Sequence, residues 1–129
     1  MTLVDTSVWI EVFRAGNPLA LERWVAFDEV VTCLPVMQEV LQGFREEGAY
    51  RLARSSLLAM PIVEAPLREE VFLEAVDLYR AAKRAGATVR SSVDCLIAAC
   101  ALRNHLELLH ADRDFEALGR VSPLKVRRI

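Results

Sequence analysis

The sequence predicts an α/β protein, a three-layer α/β/α sandwich around a central, mainly parallel sheet. Three observations predict it. Short apolar or β-branched runs (Leu3-Val4, VVTCL at 30–34, LELLH at 106–110) alternate with longer stretches of helical periodicity. The residues that follow these runs are Asp, Thr, Ser or Pro, which stop strands and open helices. The stretch Val93–Leu102 is apolar on nearly every side, as a helix buried against a sheet must be. Alternation of this kind makes βαβ units, whose parallel sheet is covered on both faces.

In chain order, Leu3-Val4 is a strand ending in Asp5-Thr6-Ser7, and Val8, Trp9, Val12 and Phe13 recur at helical spacing until Arg14–Pro18 breaks the pattern. Pro18 is placed to open a second helix carrying Leu19, Leu21, Trp24, Val25 and Phe27. Residues 30–34 form a buried strand, and Pro35 opens a helix with Val36, Val40, Leu41 and Phe44. Residues 47–60 are helical, with Leu52, Ala53, Leu57 and Leu58 as the apolar stripe, and Pro61–Glu64 is a short strand. Leu67–Ala85 is a long amphipathic helix ended by Gly86. The buried helix from Ser91, a strand at 106–110, a short helix at 115–118 and an edge strand within 121–129 complete the order.

With 129 residues, 53% hydrophobic and 26% charged, the chain suits one domain over 1–129 with its own core. The net charge of −2 offers no long-range field for a polyanion or an anionic membrane, so any such grip must be local. Of the 16 basic residues only Lys83 and Lys125 are lysines; the arginines, suited to bidentate phosphate contact, include Arg14, Arg45, Arg90 and Arg113 beside the acidic positions described next. Cys33, Cys95 and Cys100 lie in apolar runs and read as reduced core thiols, with no zinc-ligand spacing. Met1 leads straight into the first strand with no leader, and no stretch of about 18 residues is apolar enough to span a bilayer, so a soluble cytoplasmic protein with no membrane association is expected.

The acids carry the chemistry. In an open α/β sheet ligands bind at the carboxyl ends of the strands. Asp5 ends the first strand, Glu39 lies one turn into the helix after the second, Asp94 is in the first turn of the buried helix, and Asp112 follows the last interior strand with Asp114 two residues on. Each has an ordinary structural use: Asp5 as a helix cap, Asp94 in a capping box behind Ser91, Glu39 as a surface helical residue, Asp112 or Asp114 as a turn residue or cap. Brought to one edge, such carboxylates repel unless a cation neutralises them. All-oxygen ligands favour Mg²⁺ or Mn²⁺, and one ion, or a pair about 3.5 to 4 Å apart, supports water attack on phosphorus.

The segments LVDTSVWIEVFR, VMQEVLQGF, SVDCLIAACAL and LLHADRDFEAL resemble, in this order and over the whole length, the PIN domain, and within it the VapC-like ribonuclease toxins of toxin–antitoxin pairs. The resemblance implies an Mg²⁺- or Mn²⁺-dependent endoribonuclease acting on RNA such as tRNA or rRNA. It carries catalytic roles onto Asp5, Glu39, Asp94 and Asp112, metal ligation onto Asp5, Asp94, Asp112 and Asp114, and a supporting hydroxyl onto Thr6 or Ser7. It also implies a homodimer, for which exposed apolar positions on the helices between residues 36 and 60 are suited, and a small cognate antitoxin. His110 departs from the family, many members having Thr there; Asp112, next to the strand end, is preferred over Asp114 for facing the metal.

Other acidic-pocket proteins fit less well. A phosphoaccepting receiver needs adjacent acids after its first strand, where Asp5 is followed by Thr6, and an aspartate-based phosphatase needs an Asp where Ser7 stands. A catalytically inactive PIN-like module binding RNA or protein, and a solitary RNA-processing nuclease, are the remaining alternatives.

Overall fold

Leu3 and Val4, wholly buried, belong to the central strand of the sheet. In the computed structural model, which describes residues 1–129, β1 (Thr2–Val4) is flanked by β2 (Val30–Cys33) and β4 (Glu107–His110), while β3 (Ile62–Val63) and β5 (Val126–Arg128) form the edges. The order is β3-β2-β1-β4-β5 and every pairing is parallel, with Leu3 opposite Val31 on one side and Leu108 on the other. Parallel neighbours require crossovers, and the helices supply them: α1 (Thr6–Val12), α2 (Leu34–Gln42), α3 (Glu47–Leu58), α4 (Glu69–Arg84), α5 (Ser92–Arg103) and α6 (Arg113–Arg120).

The three-layer expectation is met, with one hydrophobic cluster joining the sheet to the helices. Ile97, Ala98, Ala99, Cys100 and Ala101 of α5 are wholly buried, as its apolar circumference requires. Gly86 follows α4 at φ +85°, a left-handed conformation that glycine adopts without a Cβ penalty. The three cysteines are free and buried.

Three of the expected helices differ from the pattern read in the sequence. No second helix follows Pro18; Leu21–Arg23 and Phe27–Glu29 are single 3-10 turns. Neither Ala20 nor Ala26 offers a side-chain cap, and one turn already buries Leu21 and Val25, leaving Phe27 78% exposed. On α3 the stripe is narrower than expected: Ala53 and Leu57 are buried, but Leu52 and Leu58 are 69% and 47% exposed. The last helix is longer than expected, because Asp112 caps it at Arg113. No helix is long and apolar enough to cross a membrane.

Candidate metal centre

Because β1 and β4 run parallel, their carboxyl ends lie side by side. The Asp5 N–H donates to the Leu109 carbonyl at 2.9 Å, carrying the ladder one residue past the end of β1 and fixing Asp5 at the sheet edge. The Asp5 side chain then turns to cap α1, its Oδ2 accepting from the Ser7 N–H at 2.9 Å and from the Ser7 hydroxyl. Ser7 Oγ in turn accepts from the Ala111 N–H at 2.9 Å, so one hydroxyl ties the start of α1 to the chain leaving β4. Asp5 Oδ1 is buried with no partner. Burial pushes the Asp5 carboxyl up to about 6, against the lowering effect of the Ser7 hydrogen bonds and with a smaller contribution from the charge of Glu39.

Glu39, half-buried on α2, is not the free surface residue that its helical position allowed. Its Oε1 accepts from the Thr6 hydroxyl at 2.7 Å. Thr6 and Ser7, adjacent in sequence, therefore each hold one carboxylate.

Asp94 lies in the first turn of α5 and is 8% exposed. The capping box that its position behind Ser91 allowed does not form: Ser91 occupies the N-cap without a side-chain hydrogen bond. Burial lifts the Asp94 carboxyl to about 7, and Asp5, Asp112, Glu39 and Asp114, in that order, add to the rise. Asp112 caps α6, its Oδ1 accepting from the Asp114 N–H at 3.0 Å. Asp114 is buried, with Oδ2 accepting from both the backbone N–H and the side-chain Nε of Arg90, each at 3.1 Å.

Asp94, Asp112 and Asp114 each present an oxygen such that the three atoms lie within 4.8 Å of one another. Asp5 is outside this tight triplet, though near enough to disfavour charge on Asp94. The donor set fits a small hard cation: it is all oxygen, mostly buried, and includes an unpartnered carboxylate oxygen on Asp5. Cys95, next to Asp94, is no competing ligand, since burial and then the Asp94 charge push its thiol up to about 11.

The four candidate arginines separate. Arg90, at the entrance to α5, touches the acids, adding a 3.2 Å contact from Nη2 to Asp112 Oδ1. Arg14 is exposed and pairs with Glu11 at 2.8 Å. Arg45 lines an open groove that also contains Glu39, Trp9 and Phe13, and Arg113 is exposed on α6.

One contributor had no functional place in the sequence reading. His110, wholly buried at the end of β4, accepts from the Asp112 N–H through Nδ1 at 3.2 Å, which puts its proton on Nε2. Desolvation lowers its pKa, so the ring is neutral. Its position two residues before Asp112 was the available signal.

Comparison with known proteins agrees with this architecture. A family model described as the PIN domain matches residues 2–121. Ribonuclease VapC11 of Mycobacterium tuberculosis is 37% identical over 130 residues, covering 97% of this chain and 96% of the relative. Among solved structures, VapBC2 from Rickettsia felis, bound to a DNA fragment from its promoter, superposes with a TM-score of 0.75 at 11% identity, covering 99% of this chain and 98% of that one. VapBC-5 from Mycobacterium tuberculosis, a toxin–antitoxin system, superposes with a TM-score of 0.67 at 22% identity, covering 99% and 98%. The matched span and the identity over nearly the whole length together establish that this chain belongs to the PIN-domain family, among the relatives of the VapC ribonucleases.

Proposed function

We propose that this chain is a divalent-cation-dependent endoribonuclease and the toxin of a toxin–antitoxin pair. The observation that carries the proposal is the convergence of Asp94, Asp112 and Asp114 at the carboxyl edge of a parallel sheet, in a chain 37% identical to a ribonuclease. Asp94, Asp112 and Asp114 would hold Mg²⁺ or Mn²⁺, with the free Oδ1 of Asp5 as a further ligand. Both Asp112 and Asp114 belong to the set, each keeping one oxygen outside its hydrogen bonds to Arg90 and the α6 backbone. The bound cation would neutralise the carboxylates and stabilise the charge that builds on phosphate oxygens as water adds to phosphorus and a backbone P–O bond breaks.

The remaining steps belong to the protein. Glu39, oriented by Thr6 through Oε1, keeps Oε2 free to accept a proton from the attacking water. Ser7 holds Asp5 by hydroxyl and backbone, and His110 fixes the Asp112 backbone. Arg90 is the basic side chain nearest to where a scissile phosphate would enter, while Arg14, Arg45 and Arg113 supply outer contacts to RNA such as tRNA or rRNA.

The same reading places the protein in the cytoplasm as a single domain, with a small antitoxin as its partner and a homodimer as its resting assembly. The exposed Leu52 and Leu58 of α3 support the last point. Purified chain should cleave RNA with Mg²⁺ or Mn²⁺ and not in EDTA, and Asp94→Asn should abolish cleavage with the circular dichroism unchanged. Cleavage that persists in EDTA overturns the metal mechanism. A short antitoxin-like reading frame beside the gene supports the toxin assignment, and its absence favours a solitary RNA-processing enzyme.

A further inference from the structure

Arg90 makes three hydrogen bonds to the acidic triplet. Its backbone N–H and Nε both donate to Asp114 Oδ2 at 3.1 Å, and its Nη2 donates to Asp112 Oδ1 at 3.2 Å. The guanidinium therefore bridges two of the three carboxylates whose oxygens converge within 4.8 Å. No other basic side chain forms an ion pair with these acids.

The bridge differs from an ordinary surface pair. Asp114 is anchored at 8% side-chain exposure, whereas the Arg90 side chain is 60% exposed. One partner is fixed and the other can leave into water without opening the core. The carboxylate is not stranded when it leaves, because the Arg90 backbone N–H remains on Oδ2. The third carboxylate, Asp94, forms no ion pair with Arg90.

We propose, building on the metal-dependent reading above, that Arg90 is an internal counter-ion for the Asp112–Asp114 pair. It keeps the pair aligned in the cation-free protein and, through its charge, opposes the divalent ion that binds the same two carboxylates. Binding of the ion shifts the guanidinium from the carboxylates toward the solvent side of the pocket, where an entering phosphate meets it. Arg90 is thus a positioning residue that sets the cation affinity of the site.

Calorimetric titration of EDTA-stripped, dialysed protein with MnCl₂ at pH 7.5 and low salt tests this. Removing one positive charge about 4 to 6 Å from the ion should tighten Mn²⁺ binding by Arg90→Gln about 5- to 20-fold. Arg90→Lys, which keeps the charge, should stay within about threefold of the parent. The Gln variant should lose part of its advantage at high salt. If the parent binds Mn²⁺ and Arg90→Gln binds it equally or more weakly, the counter-ion role is overturned while the metal site stands. If the parent binds no Mn²⁺, both fall together. Arg90 is exposed and its backbone donation survives substitution, so circular dichroism should show all three proteins folded.

Discussion

The Thr6 hydroxyl donates to Glu39 Oε1 at 2.7 Å, joining the first residue of α1 to the middle of α2 across 33 positions of sequence. The bond fixes the rotamer of the half-buried glutamate proposed to take the proton from water, so its loss should appear in turnover rather than in folding. Thr6→Val, nearly isosteric, is expected to lower kcat/KM about 10-fold while changing unfolding free energy by about 1 kcal/mol or less. Thr6→Ser should restore most of the activity. Steady-state cleavage of a labelled RNA alongside thermal melts separates the two effects.

The raised pKa of Asp94 has a cost in the cation-free protein. Its folded value, about 7, lies above the ordinary 3.8, so the associated stability is fully present below pH 4 and is lost as pH rises through 7. In EDTA, Asp94→Asn should therefore be more stable than the parent at pH 8, by about 1–3 kcal/mol, with the advantage gone at pH 4. Urea denaturation at the two pH values measures this, and equal stability at pH 8 would falsify the burial argument.

A cation that binds the ionised carboxylates should reverse that cost. Added Mg²⁺ should raise the melting temperature of the parent more at pH 8 than at pH 5.5, since Asp5 at about 6 and Asp94 at about 7 must lose their protons before they can ligate. Differential scanning fluorimetry across pH, with and without Mg²⁺, gives the comparison; a Mg²⁺ shift independent of pH contradicts it.

Ser7 opposes burial at Asp5, its hydroxyl bond being the largest lowering influence on that carboxyl. Ser7→Ala should raise the Asp5 pKa further and move the acidic limb of the kcat/KM profile to higher pH by roughly half a unit. It also strips the Ala111 N–H of its acceptor, which should cost about 1 kcal/mol.

Phe115, wholly buried on α6, has its ring 5.4 Å from that of His110 and is the immediate neighbour of Asp114. Phe115→Ala should destabilise the fold by about 3–5 kcal/mol and weaken Mn²⁺ binding as well, because the start of α6 carries two of the acids. Chemical denaturation and calorimetry report the two losses independently.

What the sequence made legible was what depends on local pattern. The interior strands are short apolar runs ended by Asp5, Leu34-Pro35 and Asp112, and they are found within a residue or two. The four acid motifs are legible because strand ends in a parallel sheet share an edge. Two kinds of feature were not. The segment after Pro18 has apolar spacing for a helix, but a single 3-10 turn without a side-chain cap is enough to bury Leu21 and Val25 before β2 begins. The hold of Arg90 on Asp114 joins residues 24 apart, and no periodicity marks such a pair. Asp94 could be located but not its freedom from capping, which depends on where the Ser91 side chain settles.

The central position of β1 has a consequence for how the chain comes into being. This strand of three residues is paired on one side with residues made more than a hundred positions later. During synthesis its β4-facing edge stays unpaired until Glu107–His110 emerges, a high-contact-order step of the kind that folds slowly. Asp112 and Asp114 follow at once, so the pairing of β1 on both sides and completion of the acidic triplet coincide. A chain broken off before Glu107 carries neither the β1–β4 pairing nor the Asp112–Asp114 pair, so the centre of the sheet and the acidic triplet arise in the same step.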